Sequence, residues 1–129
     1  MKLIFTNGCF DIVHRGHLEL LRYCQSLGRV IVGLNSDESV KRLKGQNRPI
    51  NHQQDRKFLL ESLSYVDEVM IFSENTPYNL IKQIKPDIIV KGGDYNIDNI
   101  VGSDMCEVKI FNYIDGYSTT KIIERADNR

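Results

Sequence analysis

The stretch "TNGCFDIVHRGH", Thr6 to His17, sets two imidazoles three residues apart, with a glycine between them, close to the N-terminus. Three chemistries suit such a pair: metal ligation, proton relay, or hydrogen bonding to an anion. Zinc could take His14 and His17 from one face of a helical turn, with Cys9 or Asp11 added. The familiar zinc patterns, however, need further cysteine or histidine, and the third histidine, His52, falls in a different crossover. A purely structural reading makes the same residues a polar turn capping a helix. Their combination favours the anion. Asn7-Gly8-Cys9-Phe10 is a glycine-containing turn directly after a strand-like run, and both histidines stand at the mouth of the helix that follows. A helix N-terminus offers unpaired N–H groups and the positive end of a dipole, and imidazoles add donors for phosphate oxygens.

The elements that must position this turn follow from the apolar pattern. Leu3-Ile4-Phe5, Val30-Ile31-Val32, Val69-Met70-Ile71-Phe72, Ile88-Ile89-Val90 and Val108-Lys109-Ile110-Phe111 read as strands, mostly apolar throughout as buried parallel strands are. Leu18, Leu21, Cys24 and Leu27 recur at helical spacing from about His17, and Gly28 reads as the C-cap. The next crossover predicts a short helix near Glu38 to Leu43, a polar loop from Lys44 to Pro49, and a helix from about His52 to Leu63 with Asn51 as N-cap. Thr76-Pro77 starts a helix to Ile84 that Lys85-Pro86 stops. A last helix begins near Ser118-Thr119-Thr120 and carries Ile122 and Ile123 inward. Strand-helix alternation predicts one three-layer α/β domain over residues 1–129, with a five-stranded parallel sheet and right-handed crossovers. Ligands of such sheets bind outside the carboxyl ends of the strands. Asn7 to His17, Asn35 to Lys44, Lys91 to Tyr95 and Asp115 to Thr120 should therefore meet along one edge.

Lysine plus arginine balance aspartate plus glutamate at 17 each. No broad field for nucleic acid or an anionic membrane results, so attraction for an anion must be local. Three cysteines without a Cys-x-x-Cys pair argue against a disulfide framework. No apolar run approaches the roughly 18 residues of a membrane span, and Lys2 leads straight into a strand rather than a signal sequence. The expectation is a cytoplasmic protein. Neither a P-loop nor Gly-x-Gly-x-x-Gly occurs.

"GCFDIVHRGH" resembles the Gly-x-Phe-Asp-x-x-His-x-Gly-His signature of the cytidylyltransferase-like nucleotidyltransferase superfamily, which includes glycerol-3-phosphate cytidylyltransferase and heptose-phosphate adenylyltransferases. "NSDESVKRLKGQNRPIN", "DRKFLLESLSYVDEV", "IKPDIIVKGGDY" and "GYSTTKIIERA" resemble, in order and spacing, the adenylyltransferase domains that convert D-glycero-D-manno-heptose 1-phosphate to ADP-heptose. The resemblance spans nearly the whole chain. It implies a Rossmann-like nucleotidyltransferase fold, ATP with Mg2+, a sugar-phosphate acceptor and a homodimer. It also implies in-line attack of a phosphate oxygen on the α-phosphorus of ATP. That nucleophile is already anionic, so positioning and charge stabilisation should carry the catalysis.

Residue by residue, the resemblance implies that His14, His17 and Lys44 act on the phosphates at the reacting centre. Gly8, Cys9 and Phe10 bring backbone amides to the nucleotide, and Thr6, Asn7 and Gly16 complete that segment. Cys9 reads as a packed residue rather than a nucleophile, since no base accompanies it. Asp11 either orients the turn or approaches the phosphates through a cation. Arg56 matches a family arginine near the site, with an ion pair to Asp55 or Glu61 as the alternative. Lys91, Gly92 and Asp94 are nucleotide-binding positions: Lys91 offsets phosphate charge, Gly92 permits close backbone approach, and Asp94 contacts the nucleotide or the second substrate. Tyr117, Ser118, Thr119 and Thr120 form a second phosphate cradle, although capping alone would explain one hydroxyl. No carboxylate cage for a metal can be read.

The cytidylyltransferase relatives carry an arginine early in the last motif and Gly-Asp-Asp-Trp in the preceding one. This chain has Tyr113 to Thr120 and Gly92-Gly93-Asp94-Tyr95 there, both in keeping with the heptose-phosphate branch. Two other readings remain: a CTP-dependent cytidylyltransferase for glycerol 3-phosphate or another polyol phosphate, and a non-catalytic nucleotide-binding module.

Overall fold

The computed structural model describes residues 1–93 and 96–112, with residues 123 and 126 isolated beyond them. Five strands, β1 (Leu3–Gly8), β2 (Arg29–Asn35), β3 (Glu68–Phe72), β4 (Ile88–Gly92) and β5 (Glu107–Phe111), form one sheet in the order β3-β2-β1-β4-β5. Every strand pair is parallel. The sheet is covered by α1 (Arg15–Leu27), α2 (Asp37–Lys44), α3 (Gln53–Glu61) and α4 (Tyr78–Ile84), with a 3₁₀ turn at Ile97–Asn99. This is the three-layer, Rossmann-like α/β architecture with a five-stranded parallel sheet.

Strand alternation sorts the core into two layers. Ile4, Val30, Val32, Val69, Ile88 and Val90 pack with Leu20, Leu21 and Cys24 of α1 and Leu60 of α3. Phe5, Ile31, Ile89 and Val108 pack on the other face with Leu80 and Ile81 of α4 and with Ile100. Asn7, two residues beyond Phe5, therefore belongs to the α4 face, and Gly8 to the α1 face. Strand order reverses between β1 and β4, and the loops at that point are where a ligand crevice opens in this architecture.

Three boundaries differ from the expectation for local reasons. Helix α1 begins at Arg15 because His14 is its N-cap. Helix α3 begins at Gln53 with His52 at the cap and no side-chain cap bond, and the Asn51 side chain instead reaches the turn after β1. Pro77 sits at the N-cap of α4 rather than inside its first turn. Gly28 does close α1, in extended backbone, and its reason is steric: a Cβ there would overlap the Lys2 carbonyl oxygen.

Candidate active site

The turn after β1 is a stack of rings built on a glycine. Phe10 holds φ of 45°, a left-handed conformation uncommon outside glycine. Its ring lies over Gly8, where a Cβ would come within 3.1 Å of it. Phe10 then meets the His17 ring at 4.9 Å between centroids, and His17 stacks on His14 at 3.8 Å.

Both histidines also cap α1. Gly16 N–H donates to His14 Nδ1 at 3.1 Å, and His14 N–H donates to His17 Nδ1 at 3.3 Å, a reciprocal capping box made of imidazoles. Because each Nδ1 accepts, the proton of each neutral ring sits on Nε2. Burial lowers the pKa of His14, and burial together with His14 pushes His17 down to about 3. At neutral pH the pair is uncharged and presents Nε2–H donors beside a helix N-terminus, chemistry suited to phosphate oxygens.

Polar contacts from distant segments hold the turn. Asp11, 2% exposed, accepts from Arg48 Nε at 2.8 Å, from Ile50 N–H and from Asn51 N–H, while Asn51 Nδ2 donates to the Asp11 carbonyl at 2.8 Å. Burial alone would raise its pKa, but these bonds lower it overall. The carboxylate thus fastens the Lys44–Asn51 loop to the turn, the orienting one of the two roles expected for Asp11.

Arg56 is a second fastening, 2% exposed. It donates from Nε to the Asn51 carbonyl, from Nη1 to the carbonyls of Cys9 at 2.7 Å and Asn35 at 2.8 Å, and from Nη2 to Asp37 Oδ1 at 2.8 Å. Its ion-pair partner is therefore Asp37 rather than Asp55 or Glu61. One guanidinium ties the turn after β1, the end of β2 and the starts of α2 and α3 together. Its donors are directed into protein, so its place in the site is beneath the turn.

Cys9 marks where the positive charge gathers. Burial raises its thiol pKa, and Lys44, then Arg56 and Arg48, pull it partly back. The thiol stays protonated, consistent with a packed residue. Lys44 ends α2, exposed, close enough to act on Cys9 from one side. Lys91, next to last in β4, interacts with Cys9 from another, and burial lowers its pKa. A chain of zero net charge thereby concentrates cations around one turn.

Thr6 lies deeper in β1, fully buried, its Oγ1 without a hydrogen-bond partner. A cavity of about 310 Å³ opens beside the turn between Phe10, Asp11, Asn51, Asp55, Arg56 and Leu59. Another, of about 130 Å³, lies on the α4 face.

The structure thus brings Thr6, Asn7, Gly8, Cys9, Phe10, Asp11, His14, Gly16, His17, Lys44, Arg56, Lys91 and Gly92 to one edge of the sheet. Asp94, Tyr117, Ser118, Thr119 and Thr120, and the start of the expected last helix, lie outside the described residues. Sequence reasoning placed Asn35 and Asp37 in a candidate loop without giving either a role, and missed Arg48 and Asn51 as parts of the site. Their signals were the density of polar residues in "NSDE" and "QNRPIN" and their place in the family-like stretch "NSDESVKRLKGQNRPIN". Among the described residues no three of His, Cys, Asp and Glu converge on a metal position, and none of the described helices is long and apolar enough to cross a membrane.

A parallel sheet with a switch point, a helix N-terminus carrying two imidazoles and a ring of cations define a site of the nucleotide-phosphate transfer class. The cytidylyltransferase-like family model matches residues 5–125, and the chain belongs to that family of nucleotidyltransferases. It is 59% identical over 126 residues to the bifunctional protein HldE of a Nitratiruptor species, covering 96% of this chain and 27% of that protein. Identity is 56% to the bifunctional protein HldE of Helicobacter pylori (strain Shi470), with 96% and 27% covered. The chain spans about a quarter of the length of these relatives. The crystal structure of the lipopolysaccharide core biosynthesis protein from Thermoplasma volcanium superposes with a TM-score of 0.74 at 28% identity, over 92% of this chain and 99% of that one.

Proposed function

We propose that this chain transfers AMP from ATP to a sugar 1-phosphate, D-glycero-D-manno-heptose 1-phosphate, giving ADP-heptose and pyrophosphate. The observation that carries the reading is the His14–His17 capping box, which sets the protons of two rings that burial keeps neutral on Nε2 at the N-terminus of α1. Likeness to the HldE proteins and to a lipopolysaccharide core biosynthesis protein supports a heptose-containing glycan as the destination.

In the proposed reaction an anionic oxygen of the sugar phosphate forms a bond to the α-phosphorus as the bond to the bridging oxygen breaks. Pyrophosphate leaves with that electron pair, and no proton need move. His14 and His17 donate to phosphate oxygens, Lys44 and Lys91 offset the charge, and the amides after Gly8 complete the cradle. Mg2+ would enter with ATP, shielding the triphosphate. Among the described residues, the Asp11 carboxylate is buried and bonded to Arg48, Ile50 and Asn51, so it is not offered as a ligand for that ion. A homodimer is part of the same proposal.

Pyrophosphate release from ATP and from CTP, each with heptose 1-phosphate and with glycerol 3-phosphate, tests the reading. Turnover with ATP and the heptose is expected. Turnover with CTP alone would give the chain to the cytidylyltransferases, and binding without turnover would make it a nucleotide-binding module.

A further inference from the structure

Two arginines meet the turn after β1, and they spend their donors differently. Arg56 commits Nε, Nη1 and Nη2 to backbone carbonyls and to Asp37. Arg48, with 14% of its side chain exposed, commits only Nε, which donates to Asp11 Oδ2 at 2.8 Å. Among the described residues neither of its Nη groups has a hydrogen-bond partner. Nor are they sealed in protein: the fully buried polar side-chain atom without a partner, among those residues, is Thr6 Oγ1.

A guanidinium is planar and always charged. Anchoring Nε fixes its plane and leaves the outer edge, an N–H from each Nη, as a fork that matches two oxygens of a phosphate. We propose that Arg48 is a phosphate-contacting residue of the site, its Nη groups donating to oxygens of the bound nucleoside triphosphate, an inference that rests on the transferase reading above.

The fork belongs to the same short turn as Lys44. Gly45 N–H donates to the Lys41 carbonyl at 2.9 Å and Arg48 N–H to the Gly45 carbonyl at 3.2 Å, so the chain turns back directly after α2 ends. Both cations act on the Cys9 thiol, Lys44 more strongly. An ammonium and a guanidinium thereby converge on the segment after Gly8. Asp11 offsets the charge of Arg48, so Arg48 contributes direction where Lys44 contributes charge. Asp11 is itself held by the Ile50 and Asn51 amides, which fixes the guanidinium before a ligand arrives and spares the cost of ordering it on binding. Arg56 supports the turn from beneath, and Arg48 presents donors to what the turn binds.

Glutamine carries its amide nitrogen at the same place along the side chain as arginine Nε, so Arg48→Gln can keep the Asp11 bond while removing both Nη groups. Its urea unfolding should stay near that of the unaltered protein. Calorimetry should find MgATP and magnesium tripolyphosphate each bound about tenfold more weakly or worse, and heptose 1-phosphate within about twofold. Unchanged affinity for both polyphosphates would overturn the assignment and leave Arg48 a latch for Asp11. A loss on MgATP alone would move the contact to the base or ribose, and a loss on heptose 1-phosphate alone would move it to the acceptor; either overturns the assignment. A markedly lower urea midpoint would show the Nη groups bonded within the protein, and overturns it too. If the unaltered protein binds MgCTP and not MgATP, the adenylyl reading fails by itself. Arg48 then stands if Arg48→Gln weakens MgCTP about tenfold, and falls if it does not.

Discussion

Arg56→Met replaces a buried guanidinium with an unbranched apolar chain of similar length. The carbonyls of Cys9, Asn35 and Asn51 each lose a donor, and Asp37 loses its charged partner. Asp37 is the least costly of these, because 28% of its side chain reaches solvent and His52 lies 3.7 Å away. The Asn35 carbonyl is buried, and those of Cys9 and Asn51 are part-buried where Arg56 meets them. Leaving a buried acceptor without its donor costs about 1–3 kcal/mol, so losing three should cost about 3 kcal/mol or more, a large part of the roughly 5–15 kcal/mol that holds a domain together. Arg56→Lys should cost less, since an ammonium can keep one or two of the acceptors but cannot fork to the β1 turn, β2 and α2 at once. Urea unfolding followed by circular dichroism measures both. A loss below about 1 kcal/mol in Arg56→Met would refute the fastening role and return Arg56 to the ligand-facing set.

His14→Asn separates capping from phosphate binding: asparagine is a strong N-cap, so unfolding should be almost unchanged while kcat falls about 10²- to 10³-fold, as for the loss of one transition-state donor. Unaltered pyrophosphate release would refute the role. Acid should weaken the fold before any carboxylate titrates. With His17 at about 3 in the folded protein and near 6.5 unfolded, only the unfolded chain takes up the proton between those values, so stability present above pH 6.5 declines as pH falls, by about 2 kcal/mol at pH 5. Urea midpoints at pH 7.5 and 5 check this, and His17→Gln should flatten the profile. His14 adds in the same direction, and Asp11, also lowered, enters only below about pH 4. Thr6→Val should raise stability by about 1 kcal/mol or more, since Thr6 pairs with Val32, Val32 with Val69, and its buried hydroxyl has no partner. A lowered melting temperature would show that the hydroxyl is bonded in solution.

Much of this fold was legible because burial on both faces of a parallel sheet leaves uninterrupted apolar runs, and these placed all five strands. The grouping of both histidines at a helix mouth was legible because it is local: glycine turn, imidazoles and helix N-terminus lie within a dozen residues. Capping was legible only as the alternative reading of a polar turn, and its route through both Nδ1 atoms was not, since histidine is an unusual cap. The fastenings were hidden for a stronger reason. Asp11 meets Arg48 across 37 residues and Arg56 meets Cys9 across 47, and no periodicity relates residues joined only by a folded sheet. A polar loop such as "QNRPIN" looks solvated in sequence, and becomes structural only when β1 and β2 set their ends side by side. The same dependence explains why the site is cationic in a neutral chain: Lys44, Arg48 and Arg56 come from three parts of the long β2–β3 crossover and Lys91 from the end of β4, and only the parallel register makes them neighbours of Cys9.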